Sequence, residues 1–72
     1  SIMRSIPSVP TMNPLLEQGI AERRRGNDRY AIECFTAALQ KEADCVAAYA
    51  CRAESYLALS EQGRALADIN RA

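Results

Sequence analysis

Histidine and tryptophan are missing from this 72-residue chain, and aromatic side chains are few, three Tyr and one Phe. Without His, neither a mixed Cys/His zinc site nor a Ser–His–Asp or Cys–His catalytic set can be assembled. Glycine is scarce, three residues in all, and no Gly-rich phosphate loop is written in the sequence. No apolar run approaches the ~18 residues of a membrane span, and the first residues lack the uninterrupted apolar stretch of a secretory signal. Neither sign of charge is in excess. Nine basic and nine acidic side chains cancel, so no global field favours nucleic acid or an anionic membrane. Cys34, Cys45 and Cys51 are odd in number with no CxxC spacing, which points to reduced thiols in the cytoplasm instead of a disulfide framework or a metal centre. These absences together predict a non-catalytic chain that needs no cofactor and no metal.

What is present is alanine, placed regularly. Of the residues, 49% are hydrophobic, and much of that share is Ala, the strongest helix former and a poor source of buried area. The pattern Ala-[Ile/Leu]-x-x-[Phe/Ile]-x-x-Ala occurs at Ala31–Ala38 and again at Ala65–Ala72, 34 residues on. Within each copy the small residues and the larger apolar residue between them share one helical face, where Ala allows close approach of a neighbouring helix. A fixed lag of this size predicts tandem helical hairpins. An unrelated four-helix bundle would share the amphipathic pattern but has no reason to repeat small residues at that lag.

The expected class is therefore all-α, tandem helix–turn–helix repeats in four antiparallel helices, an α-solenoid fragment. Residues 1–12, with Pro7 and Pro10, predict an extended or disordered leader, and residues 13–72 the folded domain. Asn13-Pro14 predicts a cap and first residue for a helix running to about Arg25 and ended by Gly26. Asn27 or Asp28 caps a second helix reaching Lys41 or Glu42, with Tyr30, Ala31, Ile32, Phe35, Ala38 and Leu39 on its apolar face. Asp44 is the expected cap of a third helix, Cys45 to Leu59, packing through Val46, Tyr49, Ala50, Ala53, Tyr56 and Leu57. Ser60 is the expected cap of a fourth, with Ala65, Leu66, Ile69 and Ala72 inward and Arg64, Asp68 and Arg71 in solvent. Arg23, Arg24 and Arg25 point about 100° apart on a helix, so they read as a solvated helix end near its negative dipole and not as a nucleic-acid stripe. The chain starts without an initiator Met and stops on a helix-packing position, which leads to the expectation of a piece of a longer protein.

At this point the pattern resembles the tetratricopeptide repeat, a helix–turn–helix unit, with one repeat at 12–45 and most of a second at 46–72. In the second unit Tyr49, Ala53, Tyr56, Ala65, Ile69 and Ala72 match the family's positions; in the first Leu15, Gly19, Ala31, Phe35 and Ala38 match, and Gly26 fits the turn. Departures are Gln18 for a usual Leu, Glu22 for the usual Tyr, and Ala43 where Pro is frequent; the first two leave the first helix a thin core face. The resemblance implies a superhelix whose first helices line a concave side that docks peptides or helices. By that geometry the partner groove would comprise Asn13, Leu16, Ile20, Arg23, Arg24, Ala47, Ala50, Cys51 and Glu54, with Leu16 and Ile20 as an apolar ridge that either receives a partner or packs on the leader or a preceding helix. A subclass of the family clamps the acidic C-terminal tails of heat-shock chaperones with Lys and Asn. Here Leu16, Ile20 and Cys51 stand at those places and cannot donate charge-assisted hydrogen bonds, so no chaperone-tail binding is expected.

The expected function is a protein–protein interaction module of a scaffold or adaptor that takes a protein or peptide partner, with neither nucleic acid nor membrane as ligand. The alternative is an assembly element. Repeat arrays generally need about three units and a polar cap, so the face bearing Leu66 and Ile69 is expected to pack on a neighbouring repeat or cap in a longer protein, and in this chain to self-associate, by symmetric end-to-end packing or by exchange of helices.

Overall fold

The computed structural model of the protein describes residues 13–72; the leader expected at 1–12 lies outside the described residues. Four helices follow one another: α1 (Pro14–Arg24), α2 (Asp28–Lys41), α3 (Val46–Ala58) and α4 (Gln62–Arg71). Connections of three or four residues leave each helix antiparallel to the next, and α1 packs on α2, α2 on α3 and α3 on α4, with α1 also touching α3. The architecture is all-α and repeat-like.

Local chemistry explains the boundaries. Asn13 Oδ1 accepts from the Leu15 N–H at 2.9 Å, and Pro14 follows at the first helical position, where its missing N–H is no loss. Gly26 takes φ 86° and closes α1 with bonds from Gly26 N to Arg23 O at 2.9 Å and from Asn27 N to Glu22 O at 2.9 Å. The end of α3 repeats this motif 34 residues later. Ser60 takes φ 63°, with Ser60 N bonded to Leu57 O at 3.0 Å and Glu61 N to Tyr56 O at 2.8 Å. Ser60 therefore terminates α3 and does not cap α4. Glu61 holds the cap position of α4, and its side chain makes no capping bond. Cys45, not Asp44, occupies the cap position of α3, while Asn27 caps α2 by position alone because its amide is turned to Glu22.

One core cluster joins α1, α2 and the start of α3: Leu16, Ala31, Phe35, Ala38, Leu39, Cys45 and Ala48. Phe35 is 0% exposed, and Gly19 makes room for it. A Cβ at position 19 would stand 2.7 Å from Phe35 Cδ1 and 2.9 Å from Cζ, and closer still to Cε1. Ala38 and Ala53 are both buried, as tandem hairpins require.

The faces of the second hairpin differ from those expected. On α3 the buried side chains are Ala48, Ala53 and Ser55, whereas Val46, Ala50 and Leu57 face out. On α4 only Ala65 and Asp68 are buried; Leu66 is 58% exposed and Ile69 51%, and Ala72 is open as well. Asp68, expected in solvent, is 4% exposed because Arg52 reaches it from α3. Arg52 Nη2 donates to Asp68 Oδ1 at 2.7 Å and Nε to Oδ2 at 2.8 Å, while Nη1 donates to Thr36 Oγ1 at 3.0 Å. One guanidinium thus ties α2, α3 and α4 together, with the Tyr49 and Tyr56 rings beside it at 5.7 and 5.9 Å. Its pKa is raised, first by the hydrogen bond to Asp68. Tyr30, expected to pack inward on α2, is half exposed.

The first helix also holds a buried charge. Glu22, at a position where an aromatic would thicken the core, is buried and accepts from Arg25 Nη1 at 3.1 Å and Asn27 Nδ2 at 2.9 Å. Its carboxylate replaces apolar packing by holding the α1–α2 turn.

Candidate functional site: the groove between α1 and α3

The two hairpins are translated copies, so their first helices lie on the same side and leave a cleft between them. That cleft encloses about 370 Å³ and is lined by Ile20, Arg23 and Arg24 of α1 and Cys51 and Glu54 of α3. A second cleft of about 400 Å³, lined by Glu17, Ile20, Ala21 and Arg24, adjoins it through the shared Ile20 and Arg24. Together they form a shallow trough along the outer side of α1.

The two arginines of the trough behave differently. Arg23 is engaged, its Nη1 donating to Glu54 Oε1 across the groove and its Nε lying 3.5 Å from Asp28 Oδ1. Arg25, turned to the other side, pairs with Glu22. Arg24 is exposed and has no acidic partner among the described residues. It is the cation available to a ligand. Ile20 supplies an apolar floor between the two clefts. The Cys51 thiol is pushed up by burial first and then by the charge of Glu54, against a lowering from Arg23, so it lines the trough as a neutral S–H. A carboxylate, an apolar strip and a free guanidinium can recognise a chain segment carrying an acidic side chain next to an apolar one.

Of the expected groove residues, Ile20, Arg23, Arg24, Cys51 and Glu54 come together. Leu16 does not join them: it is 4% exposed within the core, so the ridge expected from Leu16 and Ile20 does not exist. Four residues apart on one helix, both meet the core cluster, Leu16 wholly inside it and Ile20 at its edge, where part of the side chain remains open to the cleft. Asn13 spends its side chain on the helix cap, and Ala47 and Ala50 are exposed on α3 outside the cleft lining. Glu17 and Ala21 were missed. Their signal is spacing: with Ile20 and Arg24 they fall at i, i+3, i+4 and i+7, a single helical stripe.

Among the described residues no group of His, Cys, Asp or Glu is arranged to hold a metal ion, and no helix is long and apolar enough to cross a membrane. Comparison of the chain with protein-family models, curated proteins and solved structures found no match.

Proposed function

We propose that the chain is a non-catalytic protein–protein interaction module of tetratricopeptide-repeat type, part of a cytoplasmic scaffold or adaptor, which docks an extended peptide or a helix in the α1–α3 groove. The observation that supports this most directly is the convergence of Ile20, Arg23, Arg24, Cys51 and Glu54, brought from helices 31 residues apart in sequence at the Arg23–Glu54 pair, on one cleft. Fold alone would not carry it, because similar folds serve unrelated functions. The free cation at Arg24 beside Ile20 supports a ligand with an acidic residue flanked by an apolar one.

The test is panning of a random peptide library on the chain, followed by titration of the enriched peptide. An Arg24→Glu variant leaves the Arg23–Glu54 pair in place and should weaken the peptide at least ~10-fold, on the order of 1.4 kcal/mol. An acidic chaperone-tail peptide should show no micromolar binding. Failure to enrich any sequence, or full retention of binding by Arg24→Glu, would remove the groove as the docking site.

A further inference from the structure

The second half of an interface already present in this chain lies open on α4. The two hairpins are related by a 34-residue translation in structure as well as in sequence: Gly26 and Ser60 both take the left-handed conformation, and Ala31 and Ala65 are both buried. Within the chain, α3 seats on α2, with Ala48 in the same core cluster as Phe35 and with Arg52 bonded to Thr36. Ile32, also half-buried, shares that side of α2. Shifted by the repeat, Ile32, Phe35 and Thr36 become Leu66, Ile69 and Asn70 on α4. There no helix of the described residues covers them, and Leu66 and Ile69 are 58% and 51% exposed.

The complementary half lies open as well. Ala48, Arg52 and Ser55 share one face of α3, and their counterparts on α1 are Pro14, Gln18 and Ala21. Pro14 and Gln18 are exposed and Ala21 half-buried. Gln18 donates to the Tyr30 hydroxyl at 3.1 Å and occupies the repeat position of Arg52, whose partner Thr36 has Asn70 as its counterpart. The chain therefore carries both sides of the α2–α3 interface, one at each end, and each continues an interface the fold has already made. Two different surfaces meeting give a heterologous, head-to-tail contact, not a self-complementary one.

We propose that the occupant of the α4 face is a second copy of this chain: Pro14, Gln18 and Ala21 of one molecule seat on Leu66, Ile69 and Asn70 of the next. The contact does not close, so copies add in register and extend the superhelix. It uses neither Arg24 nor Glu54; it meets the docking trough only at Ala21, which lines the second cleft beside Arg24, and leaves the α1–α3 cleft itself free.

Sedimentation velocity on the full 72-residue chain, from low to high micromolar concentration, should show mass rising past the dimer. Leu66→Asp and Ala21→Glu each place a charge in the apolar contact and should each weaken association by at least about tenfold. Mixing the two variants in equal amounts should restore a species that stops at two copies, because the intact α4 of one meets the intact α1 of the other. Circular dichroism checks that each variant stays helical; Gln18→Trp, at an exposed position and too bulky for the seat, replaces Ala21→Glu if that variant does not fold. The proposal is overturned by a monomer at high micromolar concentration. It is equally overturned by a dimer that survives the α1 substitution and is not restored by mixing, the signature of a symmetric α4–α4 contact.

Discussion

At the scale of the residue, three small side chains carry more of the fold than their size suggests. Gly19 is fixed by space, not by backbone conformation, since its missing Cβ is what admits the Phe35 ring. That ring is fully buried, so it cannot swing away as an exposed side chain could. Gly19→Ala should therefore destabilise the chain by about 1–3 kcal/mol despite Ala's better helix propensity. Phe35→Leu in the same chain should recover part of the loss, which urea unfolding of the single and double variants would show. Ser60 is the reverse case. It occupies the left-handed position that Gly26 occupies one repeat earlier, with a Cβ that Gly lacks. Ser60→Gly should raise stability by about 0.5–1 kcal/mol, the relief of strain outweighing the added freedom of the unfolded chain. An unchanged or lower urea midpoint would show that the Ser60 conformation is not strained. Ser55, fully buried on α3 with its hydroxyl unpaired, is a third small residue, held by packing and not by a side-chain hydrogen bond.

At the scale of the element, the first hairpin was legible and the second only in part. Asn13-Pro14, Gly26 and the Ala31–Phe35–Ala38 spacing placed α1 and α2 to within a residue or two, because each boundary is set by local chemistry. The rotation of α3 was not legible, since Ala at positions 47, 48, 50, 53 and 58 surrounds the helix and hydropathy selects no face. Val46 and Leu57 attracted the assignment and proved exposed. The attachment of α4 was hidden for a different reason: its central buried group is an Asp, and its partner Arg52 lies 16 residues earlier on another helix, a pairing that no periodicity encodes. The same limit separates the residues that meet in the α1–α3 cleft, Ile20, Arg23, Arg24, Cys51 and Glu54, from Leu16, whose burial depends on where Phe35 sits. The Arg52 pair also makes α3–α4 packing unusually sensitive to one side chain. Arg52→Ala leaves the Asp68 carboxylate buried without its bidentate partner and strips Thr36 of a donor, a loss of roughly 3 kcal/mol. That is a large part of the stability available to so small a domain. Loss of ellipticity and a much lower melting temperature are expected for Arg52→Ala, with an Arg52→Met, Asp68→Leu double variant more stable than the single. If the single variant melts like the parent, the pair is not what holds α4.

At the scale of the whole molecule, the cluster around Phe35 joins α1, α2 and the start of α3, and alkaline titration touches the packing through the thiols. The chain has no His, so no side chain with an ordinary pKa near neutrality changes charge between about pH 6 and 8. On the alkaline side the groups whose folded environment matters are the Cys34 and Cys51 thiols. Burial pushes the Cys34 thiol up from its usual value of 9.0, helped by the charges of Glu22 and Glu33, and Cys51 is pushed up by burial and Glu54. A thiol whose folded pKa lies above its unfolded value keeps its proton in the native state after the unfolded chain has lost it. Between those two values the native state binds more protons, and stability falls as pH rises. The chain should therefore show a flat urea midpoint from near neutrality to about pH 8 and a decline beginning around pH 9 under reducing conditions. The diagnostic quantity is the difference between parent and Cys34→Ala, in which every other group cancels. The variant loses packing at every pH, but its midpoint should fall less steeply on the alkaline side. Parallel declines in the two proteins would mean that Cys34 ionises in the folded chain as readily as in the unfolded one. Burial of Cys34 on α2 would then protect its thiol less than its 5% exposure implies.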